Sequence, residues 1–299
     1  MSTSTTPIRF HFLDTLRGFA IAGILLVNTA DIMHLGRHGP VLVHPVIPPA
    51  ANALYFLVAT RFVPIFSFMF GMSMGFVIDS AIRRGAPAWK ILLRRLAALL
   101  VIGLLHSILY PGEILRDYAV VGAILLPFVL KVPRSVRLVL GLLATIGAYA
   151  FTGGGALSLP GLFLLGSAAQ AYDLPARLEH ADRRIGAATL VFAAASAAAI
   201  PWQAAEGGDP RFFTAGGVAG GLMACLYVCL LALLWRTPVR RALSAVFEPL
   251  GRMALTCYVT ASFVMVPAGV LLDSRSTQDV IPGLIVAAAG LPLQWAFCR

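Results

Sequence analysis

The chain has 299 residues, of which 59% are hydrophobic and 12% charged, with a mean hydropathy of +0.86. A soluble domain carries roughly 25% charged residues, so this composition excludes a water-soluble domain of ordinary type and makes lipid the solvent. The formal net charge of +10 lies in short loops between apolar runs, not in a basic stripe interleaved with aromatics, which excludes a nucleic-acid partner and points to membrane topology.

The expected fold is all-α, a polytopic transmembrane helical bundle of about ten spans in one domain, 1–299. A hydrocarbon core is crossed by about 20 apolar residues, and runs of that kind fall at 13–33, 62–82, 91–110, 114–130, 136–152, 157–172, 185–203, 214–235, 253–272 and 279–297. The first run opens on Asp14 and Arg17 and has no small-residue cleavage site, so it is expected to stay as a helix and not to be removed as a signal peptide. Segment 48–60 is short and starts with Pro48-Pro49, which suits an interfacial or re-entrant helix. Alternate loops hold 17 and 4 of the Lys and Arg residues, with Arg17 and Arg61 inside helix ends. That asymmetry predicts a cytoplasmic location for both termini.

Along the first span, Asp14, Arg17, Asn28 and Asp31 fall within an arc of about 100°, with some 21 Å between the two pairs. They form a polar stripe facing the bundle. The following outer loop carries His34, His38 and His44, whose spacing matches no closed zinc site; no metal is expected. Arg61 opens the second span at the same side, placed either to bind an anionic group or to snorkel. Gly71 with Gly75, Gly216 with Gly220 and Gly217 with Gly221 mark close helix approaches. The third span begins with Arg94 and Arg95 and ends near His106, at the membrane–water boundary. Just beyond come Glu113, Arg116, Asp117 and Tyr118. A carboxylate beside an imidazole selects its tautomer and raises its basicity, as a general base requires; a hydrogen-bonded hairpin cap is the plainer reading.

Gly153-Gly154-Gly155 reads as a tight hairpin between spans. In the second half, Glu248, Arg252, Thr256 and Tyr258 cluster at the start of the ninth span. Cys225, Cys229, Cys257 and Cys298 all lie in apolar segments and form neither a disulfide framework nor a metal spacing. The polar residues thus concentrate in 13–130, the expected functional half, and 131–299 reads as scaffold.

Several phrases carry a resemblance when taken in order. They are Leu13-Asp14-Thr15-Leu16-Arg17-Gly18 with Asn28, then Phe66-Ser67-Phe68-Met69-Phe70-Gly71, Arg94-Arg95-Leu96 with Gly103 and His106, Gly112-Glu113-Ile114-Leu115-Arg116-Asp117-Tyr118, and Gly251-Arg252-Met253-Ala254-Leu255-Thr256-Cys257-Tyr258. From Leu13 to about Ser262 the chain resembles the YeiB-like (DUF418) family of bacterial inner-membrane proteins. It departs from that family in having Glu113 where an aspartate is usual, and in stopping at Arg299 where the family continues with a further motif, so its C-terminal part is expected to be missing or divergent.

That family resembles the transmembrane acyltransferases, which include heparan-alpha-glucosaminide N-acetyltransferase. The resemblance implies acyl-CoA, typically acetyl-CoA, as a cytoplasmic donor, and a small-molecule or glycan acceptor outside. It also implies a histidine at the centre of the chemistry. On this reading Arg17, Arg94, Arg95 and Arg252 hold the CoA phosphates, with Asp14, Arg61 and Tyr118 along the substrate path. His106 or His34 is the base, Glu113 or Asp117 orients it, and Asn28 polarises the carbonyl. Membrane lipid and a second copy of the chain in a homodimer are the other expected partners. A transporter or exporter of a small polar solute, using the same stripe as its path, is the alternative from a different class.

Overall fold

The computed structural model describes residues 9–33, 49–110, 112–180, 182–272 and 280–299. Within them the chain is all-helical, with no strand. The helices are α1 (His11–Met33), α2 (Pro49–Leu57), α3 (Phe62–Arg83), α4 (Ala88–His106), α5 (Leu115–Lys131), α6 (Arg134–Thr152), α7 (Leu159–Ala171), α8 (Leu174–His180), α9 (Arg183–Glu206), α10 (Thr214–Leu234), α11 (Arg240–Arg252), α12 (Ala254–Leu271) and α13 (Val280–Cys298). Among the described residues seven segments are long and apolar enough to cross a membrane: α1, the α2–α3 stretch, α6, α9, α10, α12 and α13. Helices α4, α5 and α7 are the other three expected spans. The first carries Lys90, Arg94 and Arg95 in its opening turns, and the other two have only 17 and 13 residues.

Helix α1 is the most buried of the seven and runs through the centre, against α3, α11, α12 and α13. Helix α3 pairs with α7, α9 with α10, and α4 with α5. Phe12, Leu16, Ile21, Phe62, Met69, Trp235 and Leu250 form the main core. A second core joins Ile78, Leu92, Tyr118, Leu125 and Phe163. The outer helices do the reverse: Phe151, Leu190, Ile285 and Phe297 are each more than 60% exposed. Apolar exposure on that scale is a lipid-facing surface.

Glycines set the closest crossings. A Cβ on Gly71 would meet the Phe163 backbone, and one on Gly166 would meet that of Phe68, so α3 and α7 touch backbone to backbone. This is the close approach expected from Gly71, whereas Gly75 faces the Gln170 side chain. Gly217 packs on the Gly153 carbonyl and Gly220 on Thr60. Gly153 (φ 69°) caps α6 in the left-handed region and opens the expected hairpin, through a 3-10 turn at Gly155–Ser158, into α7.

Helix α11 corrects the reading of 236–252 as loop. Its charges hide an amphipathic helix whose Phe247 packs edge-on to Phe19, at 5.5 Å between centroids, while Arg240 and Arg241 face outward. The supposed cluster from Glu248 to Tyr258 is split by the break at Met253. Glu248 and Arg252 pair one turn apart on α11, and Tyr258 belongs to α12.

Glu248 is the hub of this end. It accepts from Ser244 at 2.6 Å, from His11 Nδ1 at 3.0 Å and from Arg252. Burial alone would raise its pKa, but these hydrogen bonds and the Arg252 charge outweigh that and hold the carboxyl at about 2. A folded pKa below the unfolded one contributes stability at neutral pH, which is lost as pH falls from about 4.5 through about 2. Glu248→Gln is therefore expected to cost about 1–3 kcal/mol at pH 7 and to flatten the acid limb of the unfolding profile between those values. Thermal unfolding of both proteins in detergent across pH 2–7 reads this out; an unchanged acid limb would remove Glu248 from the account.

Candidate active site

The residues that converge on His106 come from three places in the chain. Gly103, one turn earlier on α4, has no room for a Cβ because the backbone of Leu115 and Arg116 lies against it. That contact brings the start of α5, and with it Glu113, up to the end of α4. Glu113 Oε1 accepts from the Leu115 N–H at 2.5 Å, so the carboxylate caps α5. Its other oxygen, Oε2, abuts Nδ1 of His106. On the far side of the ring, Nε2 of His106 lies 2.8 Å from the Ser262 hydroxyl. Tyr258, one turn before Ser262 on α12, packs tilted against the ring at 5.4 Å between centroids, and Tyr110 packs at 6.4 Å. Ser262, His106 and Glu113 are all buried, at 0%, 3% and 3% exposure.

Depth is the second feature. Gly251, at the end of α11 just before α12, packs against Asp14 and Gly18, and Gly269 on α12 against Met33, so α1 and α12 run parallel across the bundle. Ser262 is eight residues into α12, about 12 Å from its start and slightly farther from its end. His106 is therefore level with the middle of α12. The turn between α4 and α5 carries Tyr110 and Glu113 inward, while Ile108 and Gly112 are exposed.

Other expected residues lie elsewhere. Asp117 is half-exposed and pairs with Arg116 at 3.5 Å, away from His106. Asn28 is half-buried on α1. His34, with His38 and His44, lies outside the described residues. Tyr118 is no surface ligand: it is fully buried among Phe66, Phe70 and Phe163, with its hydroxyl 2.5 Å from Ser67. Arg61 does not snorkel. It is fully buried and donates to the Ala59 carbonyl at 2.6 Å, to Thr60 and to Gln203 Oε1 at 2.6 Å, which ties the α2–α3 elbow to α9. Thr60 at that elbow adopts φ 65°, unusual for a β-branched residue.

Near the C-terminal end of α1 Arg211 pairs with Asp31 and, at 2.6 Å, with Asp209. Near the N-terminal end of α1 Asp14 accepts from Arg9 at 2.8 Å and lies 3.5 Å from Arg17, which reaches Ser73 on α3 at 3.4 Å. Arg94 and Arg95 are exposed and, with Arg84, line a groove of about 550 Å³ at the α3–α4 elbow. Neither Arg17 nor Arg252 lines it. Among the described residues no three His, Cys, Asp or Glu side chains come together that could hold a metal.

Ser262, Tyr258, Asp209 and Arg211 escaped the sequence reading or were set apart from the site. Ser262 left one faint signal, a hydroxyl on the apolar α12 one turn after Tyr258.

Comparison with known proteins now adds to this geometry. A family model described as "Protein of unknown function (DUF418)" matches residues 173–299. The "Uncharacterized 39.9 kDa protein in amylase 3'region" of Bacillus acidopullulyticus is 31% identical over 308 residues, covering 97% of this chain and 88% of that protein. The chain belongs to the DUF418 family. "Uncharacterized protein YxaH" of Bacillus subtilis (strain 168) is 34% identical over 145 residues, 45% of this DUF418 chain and 36% of that protein. No solved structure matches it.

Proposed function

We propose that this DUF418 protein is a membrane-bound acyltransferase that moves an acyl group from a cytoplasmic CoA thioester to a hydroxyl or amine acceptor outside. The observation that carries the reading is the buried Glu113–His106 pair, level with the middle of α12, its free-side nitrogen already engaged with a hydroxyl. A carboxylate on Nδ1 leaves Nε2 to take a proton from an acceptor, which is the work of a general base. A pair level with the middle of a crossing helix suits chemistry whose donor and acceptor arrive from opposite sides. The basic groove of Arg84, Arg94 and Arg95 offers the donor's phosphates a landing site on the inner side. In this reading ten helices cross the bacterial inner membrane with both termini cytoplasmic, as the loop charges support.

Protein in liposomes, given labelled acetyl-CoA on the Arg94 side and a sugar acceptor on the other, is expected to transfer label across. Solute flux that ignores CoA would instead mark a transporter. Reversing the charge of the groove with Arg94→Glu and Arg95→Glu together is expected to raise KM for acetyl-CoA roughly tenfold or more with kcat little changed. An unchanged KM places the donor elsewhere.

A further inference from the structure

We infer that Ser262 is a nucleophile that carries the acyl group between donor and acceptor, activated by His106 and Glu113. This rests on the acyl-transfer reading above. Nucleophile, base and orienting carboxylate are in line: the Ser262 hydroxyl is 2.8 Å from Nε2, and Nδ1 abuts Glu113, whose second oxygen is held by the Leu115 N–H. Such a set is recognised by geometry and roles and not by chain order.

The bonding of Ser262 also differs from that of several other hydroxyls in these helices. Ser67, Ser73, Thr29 and Thr189 each donate to the carbonyl four residues back. That is the usual resting place of a helical hydroxyl. Among the described residues Ser262 pairs with the imidazole and not with its own helix. The arrangement joins helices far apart in sequence and leaves the oxygen lone pairs available for attack.

The chemistry balances without an oxidant or reductant. Nε2 takes the Ser262 proton as Oγ bonds to the thioester carbonyl carbon. The C–S bond breaks, and the thiolate leaves with that proton from the imidazolium. The acceptor hydroxyl or amine then attacks the acyl-serine, its proton passes to Nε2, and Oγ takes it back as the ester bond breaks. Glu113 stays ionised and steadies the imidazolium in both halves. Because Ser262 is fully buried, small reagents are the right probes.

The test treats detergent-purified protein with p-nitrophenyl acetate and, separately, with acetyl-CoA, both without acceptor, and maps any acetyl group by peptide mass. One acetyl group per chain on Ser262 is expected, with a burst of p-nitrophenolate. Ser262→Ala should lose the label and lower transfer by at least about 10³-fold. Ser262→Cys should hold the acetyl group as a thioester cleaved by neutral hydroxylamine, a signature that a merely structural hydroxyl does not produce. Label from p-nitrophenyl acetate but not from acetyl-CoA supports the nucleophile and overturns the CoA donor. Transfer from acetyl-CoA that leaves no acetyl-serine, or that survives Ser262→Ala, overturns the nucleophile and leaves the acyltransferase reading standing. Neither label nor transfer removes both.

Discussion

His106→Ala is expected to lower acyl transfer about 10²–10⁴-fold while the protein still extracts and elutes as the folded species. The size follows from the role. Among the described residues Nε2 is the one buried base whose other nitrogen is already held by a carboxylate, so its removal takes away the proton acceptor and strands Glu113. Glu113→Gln keeps the shape and the reach to Leu115, yet an amide cannot steady an imidazolium, so a loss of similar order is expected. Initial rates at saturating acetyl-CoA, with the pH profile of each variant, check both. A Glu113→Gln enzyme with wild-type rate and pH profile would reduce the carboxylate to a helix cap.

Gly251→Val is expected to produce the largest loss of stability, more than about 3 kcal/mol and enough to reduce recovery of folded protein. A Cβ at Gly251 runs into the Asp14 carbonyl, and one at Gly18 into the Phe247 carbonyl, so α1 and α11 meet through their backbones and have no flexible side chain to yield. Separating them also pulls on Phe12, Leu16 and Leu250 in the main core. Thermal unfolding in detergent measures this, with Gly147→Val on α6 as the control because nothing lies near its Cβ. Equal midpoints for the two variants would sink the argument.

What could be read from sequence and what could not divide along a physical line. Composition and apolar run length report on the solvent each segment meets, which is a property of the segment alone. The all-helical membrane character, seven apolar segments long enough to cross a membrane and the hairpin at Gly153 were therefore legible before any packing was known. The Gly103 to Glu113 neighbourhood was also legible, because His106 and Glu113 are joined by one short turn and must stay close.

Contacts between distant segments carry no such local mark. Ser262 is 156 residues from His106 and looks like one more small residue on an apolar helix until α12 is laid beside α4. Tyr118 and Arg61 read as polar candidates because burial by other helices is invisible in the chain. The charges of α11 read as loop because the face that packs on α1 is defined only by α1. The sequence alone determined that this is a membrane-dwelling helical protein with a histidine–carboxylate pair. The tertiary structure alone decided that the pair is buried level with the middle of α12 with a serine on its far side, since burial and convergence are set by how helices pack and not by what each contains.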